Sequence, residues 1–85
     1  MPYFVYLLQC RDKSYYCGFT SNLENRIAAH NSGRGAKYTR SHRPVELVYF
    51  EKKRTIRQAM RREFEIKASG RKGKQALIEG KKPGK

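Results

Sequence analysis

Residues 16–30 change from a strand pattern to a helix pattern, and this change constrains the fold more than any other stretch of the sequence. The strand formers of residues 16–20 are interrupted by Gly18, which indicates the close approach of another backbone or of a ligand. Ser21 and Glu24 form a capping box, which predicts a helix that begins at about residue 22. A strand that leads directly into a helix N-terminus is a place where an anionic group can bind.

The predicted first helix carries two basic side chains beside its apolar stripe. At the helical repeat, Leu23 and Ile27 share one stripe with His30, and Arg26 is the i,i+4 neighbour of His30 at the edge of that stripe. Gly33 predicts the end of the helix, because glycine readily adopts the left-handed conformation. The strand-to-helix unit therefore brings an arginine and a histidine close to the candidate anion site.

A predicted β-hairpin precedes this helix. Residues 3–10 are nearly all apolar, which predicts a strand covered on both faces, and residues 11–14 are polar and turn-like before the strand of residues 15–20. Because side chains alternate between the faces of a sheet, a two-residue loop would point Tyr6 and Tyr16 to opposite faces. If both tyrosines serve one site, the hairpin must have an odd-length loop or a β-bulge.

The second half of the sequence adds a third strand at residues 45–50, a helix at residues 56–68 and a short helix at residues 76–78. This order describes a small α+β domain, in which a three-stranded sheet is flanked by helices. We expect one domain over residues 1–80 and a flexible basic tail over residues 81–85.

Glu63 lies on the predicted helix of residues 56–68, in an unusual place for a carboxylate. The apolar face of that helix is predicted to comprise Ile56, Ala59, Met60 and Ile66. Glu63 falls in the middle of this face by angle, and a carboxylate that faces a core is unfavourable unless it is paired or binds a metal. We interpret Glu63 as a metal ligand or an active-site carboxylate. The alternative is an ion pair with a basic neighbour such as Arg26.

The charge of the chain predicts a polyanionic partner. Twenty lysines and arginines against seven acidic residues give a formal net charge of +13, and such an excess is typical of nucleic-acid binding. The residues predicted to contact nucleic acid are Arg34, Lys37, Tyr38, Thr39 and Arg40 of a phosphate-holding loop, with Arg71, Lys72 and Lys74 nearer the C-terminus. The alternatives are an ordinary solvated loop, a ribosome-associated basic protein and a charge that serves solubility.

Two compositional features exclude other classes. No run of about 18 apolar residues exists, so we expect no membrane span. Cys10 and Cys17 lack the spacing of a zinc site, which predicts two free thiols in a cytoplasmic protein.

The candidate catalytic side chains suit phosphodiester hydrolysis. They are Tyr6, Tyr16, Arg26, His30 and Glu63. A divalent ion on Glu63 would polarise the phosphate, and Arg26 would stabilise the charge of the transition state. A tyrosine could take a proton from water only if its pKa were lowered from about 10. Alternatively, each side chain is structural, as a sheet aromatic, a surface charge, a histidine at the core edge or one half of an ion pair.

The spacing of these residues resembles the signature of the GIY-YIG nucleases. The signature has two tripeptide motifs, Gly-Ile-Tyr and Tyr-Ile-Gly, and this chain has Val5-Tyr6-Leu7 and Tyr16-Cys17-Gly18 in their places. Arg26, His30 and Glu63 then follow in order. The chain is most similar to the short bacterial proteins of the UPF0213 type. The resemblance implies an α/β sandwich with a central three-stranded antiparallel sheet and one Mg²⁺ or Mn²⁺ ion held by Glu63.

The resemblance also implies a role for each catalytic residue. Tyr6 would be the general base, Tyr16 would orient water or phosphate, and Arg26 would stabilise the transition state. His30 would contact phosphate or serve as an alternative base. Phe19 stands where some members carry a lysine, which places more weight on Tyr6 and His30.

We therefore expect a metal-dependent DNA endonuclease of the repair or recombination type, with weak sequence specificity. Single-stranded, damaged or branched DNA is the expected substrate, because a small surface offers little for reading duplex sequence. The alternatives are a catalytically silent module that binds DNA or RNA, and a nuclease subunit that obtains its specificity from a partner protein.

Overall fold

The computed structural model describes residues 2–80, in which a three-stranded antiparallel sheet carries helices on both faces. The strands are β1 (Tyr3–Cys10), β2 (Tyr15–Thr20) and β3 (Val45–Lys53), and the helices are α1 (Leu23–Asn31), α2 (Lys37–Arg40), α3 (Ile56–Ala68) and α4 (Gly70–Gly80). The strand order is β2-β1-β3, so β1 is central. The predicted α+β fold is confirmed, while the predicted tail of residues 81–85 lies outside the described residues.

The hairpin between β1 and β2 has a three-residue loop, Arg11–Lys13. The backbone N–H of Cys10 donates to the carbonyl oxygen of Ser14 over 2.8 Å, and Lys13 closes the loop with a φ of 74°. In the resulting register Tyr6 pairs with Gly18, and Leu8 pairs with Tyr16. The predicted odd-length loop is confirmed, and it places both tyrosines on one face of the sheet.

The sheet separates two hydrophobic clusters. The cluster beneath α1 contains Tyr6, Leu8, Cys10 and Val45, with Leu23 and Ile27 of α1 packed against it. The cluster beneath α3 and α4 contains Val5, Leu7, Cys17, Ala59 and Ile66, with Leu77 and Ile78 of α4 packed against it. Both cysteines are free. Among the described residues, none of the helices has the length and apolar character needed to cross a membrane.

The N-cap of α1 is Asn22, and the predicted cap at Ser21 is wrong. The side chain of Asn22 accepts the backbone N–H of Asn25 over 3.0 Å. The hydroxyl of Thr20 accepts the backbone N–H of Asn22 over 3.1 Å, and this turn moves the start of the helix one residue along. The end of α1 is as predicted, because Gly33 follows it with a φ of 89°.

The buried face of α3 is also displaced from its prediction. Ile56 and Met60 are 48% and 53% exposed, so their placement on the apolar face is wrong. Arg62 instead turns toward β3, where its guanidinium donates to both carboxylate oxygens of Glu51 over 2.9–3.1 Å. Burial opposes the ionisation of Glu51, but hydrogen bonds from Arg62, Tyr49 and Lys53 outweigh it and lower its pKa to about 2. Ala59 and Ile66 are the buried residues of α3, and the charged pair holds the neighbouring side of the helix against β3.

Candidate active site

The centre of the candidate site is a buried pair formed by Tyr6 and His30. Tyr6 stands on the central strand, and His30 lies in the last turn of α1, which packs on the same face of the sheet. The phenol oxygen of Tyr6 is 3.0 Å from Nε2 of His30. The two residues are 1% and 0% exposed, so the pair is part of the core.

Thr39 of α2 holds the other side of the His30 ring. Nδ1 of His30 is 2.7 Å from Oγ1 of Thr39, which in turn donates to the carbonyl oxygen of Ala36 over 3.0 Å. The protons of the Tyr6 hydroxyl, the His30 ring and the Thr39 hydroxyl each have a separate acceptor in one tautomer of His30. In that tautomer Nδ1–H donates to Thr39, and the O–H of Tyr6 donates to Nε2. We assign this tautomer. The backbone N–H of Ala36 also points at Nδ1, over 3.4 Å, and it would donate there only in the opposite tautomer, so it is the one contact that the assignment leaves unsatisfied.

Burial of Thr39 and His30 corrects two sequence predictions. Thr39 is 0% exposed, so its hydroxyl is a support for His30 and is not presented to a nucleic acid. His30 is equally buried and uses both ring nitrogens within the protein, so the structure does not support a direct phosphate contact. Its remaining predicted role is that of a base, and its contact is with Tyr6.

The electrostatic environment keeps both members of the pair neutral at pH 7. Burial, with a smaller contribution from the charge of Arg26, lowers the pKa of His30 to about 4. Burial also raises the pKa of Tyr6, although a hydrogen bond and the charge of Arg26 oppose this rise. The pKa of Tyr6 is therefore not lowered, as a tyrosine that acts alone as a base would require. A base role for Tyr6 would depend on passing its phenolic proton to the lone pair on Nε2 of neutral His30.

Arg26 and Tyr16 flank the pair on its more open side. Arg26 is half-buried beside Tyr6, and among residues 2–80 its guanidinium makes no ion pair with a carboxylate. The ring of Tyr16 meets that of His30 edge to face at 5.2 Å and stacks on Tyr38 at 6.3 Å. The structure thus gathers Tyr6, Tyr16, Arg26 and His30, here called the tyrosine–histidine cluster, with one unpaired cation.

Two glycines make room for the cluster. A Cβ atom on Gly18 would lie 2.6 Å from the phenol oxygen of Tyr6, and one on Gly35 would lie 2.3 Å from Nδ1 of His30. The close approach predicted at Gly18 is confirmed, and the approaching group is the ring of Tyr6. Sequence reasoning missed Gly35, although its place among small residues before α2 was visible.

Glu63 borders the same edge strand from the other side of the sheet. Its backbone carbonyl lies 4.0 Å from Sγ of Cys17, a β2 residue that points away from Tyr16 and Gly18. Its carboxylate forms an ion pair with Lys67 over 3.4 Å, so the proposed partner Arg26 is wrong. Within the described range, the carboxylate of Glu63 makes no hydrogen bond or ion pair with the cluster.

The donor set at Glu63 is a single carboxylate. Between residues 2 and 80, no three histidine, cysteine or acidic side chains gather in the manner of a metal cage. A single carboxylate, 21% exposed, suits Mg²⁺ or Mn²⁺, which keep several waters and also take phosphate oxygens from a substrate. The carboxylate is the one candidate ligand that the sequence predicted.

The predicted nucleic-acid contacts lie on two sides of the sheet. Arg34, Lys37 and Arg40 are exposed around α2, on the side of the tyrosine–histidine cluster. Arg71 lies on the other side, where its guanidinium covers the ring of Tyr15 at 4.8 Å and bonds the carbonyl of Lys13, so it stabilises the hairpin. The remaining candidates are Tyr38, which is 40% exposed, Lys72, which is exposed, and Lys74, which is half-buried.

Comparisons with known proteins find matches that cover most of the chain. A family model described as the GIY-YIG catalytic domain matches residues 2–76. A UPF0213 protein of Staphylococcus haemolyticus is 52% identical over 77 residues, which are 91% of this chain and 94% of that protein. The UPF0213 protein YazA of Bacillus subtilis is 45% identical over 83 residues, 98% of this chain and 84% of that protein.

Two solution NMR structures share the fold. The UPF0213 protein of Bacillus halodurans has 40% sequence identity and a TM-score of 0.63, and the match covers 99% of this chain and 89% of that one. The protein EF2693 of E. faecalis has 38% identity and a TM-score of 0.65, with 94% and 85% coverage.

Proposed function

The chain belongs to the GIY-YIG family, and we propose that it is a metal-dependent endonuclease that hydrolyses phosphodiester bonds in DNA. The observation that supports this proposal best is the contact between Tyr6 and a neutral, buried His30, with the unpaired Arg26 beside it. Such a cluster can remove a proton from water and balance negative charge on a phosphate. The cytoplasm, where free thiols persist, is the proposed location.

Tyr6 and His30 would act together as the base. The attacking water gives a proton to the phenol oxygen of Tyr6, while the phenolic proton passes to Nε2 of His30 over the 3.0 Å hydrogen bond. His30 becomes an imidazolium that still donates from Nδ1 to Thr39. Tyr6 is 1% exposed and Arg26 lies beside it, so the proposed mechanism requires the side chain of Arg26 to turn toward the phosphate and admit the water.

Arg26 would bind the phosphate and stabilise its transition state. Its guanidinium has a fork of donors that matches phosphate oxygens, and it is not engaged by a carboxylate of the described chain. A Mg²⁺ or Mn²⁺ ion held by Glu63 would supply Lewis-acid polarisation of the phosphate. Glu63 and the cluster both border β2, so the scissile phosphate would lie along this edge strand.

Cleavage of labelled single-stranded, duplex and branched DNA, with an RNA control, tests the proposal in Mg²⁺, Mn²⁺ and EDTA. Glu63→Gln should abolish metal-dependent cleavage, whereas the matched control Glu65→Gln, on the exposed side of the same helix, should cleave like the wild type. Arg26→Gln should slow cleavage by about 10²–10³ because an electrostatic stabiliser is lost. Thermal unfolding of each variant shows whether it remains folded. Wild-type rates in folded Glu63→Gln would exclude the metal role of this carboxylate.

A nucleic-acid-binding module without turnover is the second candidate. The separation of Glu63 from the tyrosine–histidine cluster favours it, since a metal at Glu63 would then lie apart from the base. A folded wild type that binds DNA or RNA, but yields no product in either metal, would establish this alternative. Cleavage that appears only with a protein partner present would instead identify a nuclease subunit.

A further inference from the structure

A second cationic surface lies apart from the tyrosine–histidine cluster, where the end of β3 meets the first turns of α3. An open cavity of about 530 Å³ lies there, with six basic side chains and one carboxylate in its walls. Four of these basic side chains, Lys52, Arg54, Arg57 and Arg61, define what is here called the β3–α3 corner. Neither the predicted phosphate loop nor the proposed catalytic machinery includes any of them.

The charges of the β3–α3 corner are not balanced within the described chain. Lys53 and Arg62 also face the cavity, and both pair with Glu51, at 3.1 and 2.9 Å. The carboxylate in the wall, Glu65, is itself held by Arg62. Between residues 2 and 80, the four corner side chains form no ion pair with a carboxylate, and all four are exposed. Four unbalanced positive charges around one cavity favour an anionic ligand.

An exposed aromatic ring lies on β3, on the sheet face that carries Tyr6 and next to the corner residue Lys52 on that face. Phe50 is 51% exposed and meets Phe4 edge to face, with ring centroids 6.0 Å apart. In the register of β1 and β3, Phe50 pairs with Tyr6 and Lys52 pairs with Phe4, so these side chains share one face. Two residues along a strand span about 7 Å, so Lys52 stands one step beyond Phe50 on the way from Tyr6.

We propose that the β3–α3 corner binds the phosphate backbone of a single nucleic-acid strand that leaves the tyrosine–histidine cluster across Phe50 and turns around edge strand β3 to the face on which α3 packs. Arginine forks bind phosphate oxygens, and an exposed aromatic ring stacks an unpaired base, which is the combination that single-strand-binding surfaces use. A duplex would keep its bases stacked inside and would leave Phe50 without a ligand. The direction of the strand rests on the proposed function, because that function places the scissile phosphate beside Tyr6.

Binding measured in EDTA separates this proposal from the proposed cleavage. Labelled oligothymidylates of about four and about twelve nucleotides are titrated by fluorescence anisotropy at several salt concentrations. Arg57→Gln/Arg61→Gln removes two corner charges. The control Arg11→Gln/Lys13→Gln removes the same charge from the exposed hairpin loop, and neither residue lines the cavity.

The corner variant should bind the long strand with a weaker salt dependence than the wild type. Each lost phosphate contact lowers the slope of log affinity against log salt by about 0.7, which gives about 1.4 for the pair. The control variant should keep the wild-type slope, and the short strand should not distinguish the two variants. Equal slopes for both variants on the long strand would overturn the proposal, because net charge alone would then explain the binding.

Phe50→Leu tests the aromatic connection while it leaves the charge unchanged. The long strand should bind about tenfold more weakly, with an unaltered salt slope, because one stacked base is lost. An unchanged affinity for the long strand, or an equal loss with a blunt duplex of the same length, would overturn the single-strand assignment. If no DNA is cleaved but the corner variant still shows a weaker salt dependence of binding than the wild type, the proposed function fails and the corner remains a binding surface.

Discussion

His30 predicts an acid-sensitive step in the stability of this protein. Its imidazole is fully buried, and burial together with the charge of Arg26 lowers its pKa to about 4, whereas an unfolded chain has a histidine pKa of about 6.5. Between about pH 6.5 and pH 4, His30 is therefore protonated in the unfolded state and neutral in the folded state. The free energy of unfolding must fall with decreasing pH until the folded protein also takes up the proton near pH 4.

The expected loss is large for a small domain. Between pH 7 and pH 4.5 the two pKa values of His30 give a decrease of about 2 kcal/mol, with a limiting slope of about 1.4 kcal/mol per pH unit. Domains of this kind have free energies of unfolding of about 5–15 kcal/mol. Glu51 contributes in a separate window, since its stabilisation is lost only as the pH falls from its ordinary value of 4.5 toward about 2.

Urea unfolding at several pH values between 7 and 4.5 measures this loss. His30→Gln should abolish most of the pH dependence, whereas His42→Gln, which changes the second of the two histidines in the chain, should leave it intact. NMR titration of the His30 ring should show a neutral imidazole down to about pH 5. The reasoning is refuted if the wild type keeps constant stability over this range, or if His30→Gln loses as much stability as the wild type.

Two further substitutions examine the walls of the cluster. Gly18→Ala places a Cβ atom 2.6 Å from the phenol oxygen of Tyr6 and should destabilise the fold by about 1–3 kcal/mol. Gly80→Ala, where a Cβ atom meets nothing within 4 Å, is its control in thermal unfolding, and equal melting temperatures for the two would contradict the close contact. Thr39→Val leaves Nδ1–H of His30 without its acceptor, so unfolding should become easier by about 1–3 kcal/mol and cleavage should slow. Thr39→Ser should restore both, and a Ser variant as impaired as Val would argue against the hydrogen bond.

The sheet and the shared face of the two tyrosines could be predicted because they depend on local rules. Alternation along a strand fixes which residues lie together, and the loop of Arg11–Lys13 sets the register. A common site for Tyr6 and Tyr16 required an odd loop, and the chain has one. Likewise, the position of His30 followed from the helical repeat of α1, since Leu23 and Ile27 pack on the same cluster.

The rotation of α3 and the role of Thr39 could not be predicted, because both depend on contacts between distant segments. Helical angles alone put Ile56 and Met60 inside, but in the fold the side of α3 that carries Arg62 contacts Glu51 of β3, and Ile56 and Met60 remain exposed. Thr39 lies in a basic stretch that resembles a surface loop, and only the folding of α2 against α1 carries its hydroxyl to His30. The composition of this basic stretch predicts a surface loop, but the buried hydroxyl of Thr39 supports the ring of His30.

The burial of Tyr6 and His30 changes what their presence in a related sequence can reveal. A descendant that had lost the proposed catalysis would still retain both, because replacing either would leave a cavity or an unpaired polar atom in the core. Arg26 and Glu63 are partly exposed and lie outside that core, so their replacement carries a smaller penalty. Among homologous chains, loss of the proposed activity should therefore appear first as substitutions at Arg26 and Glu63.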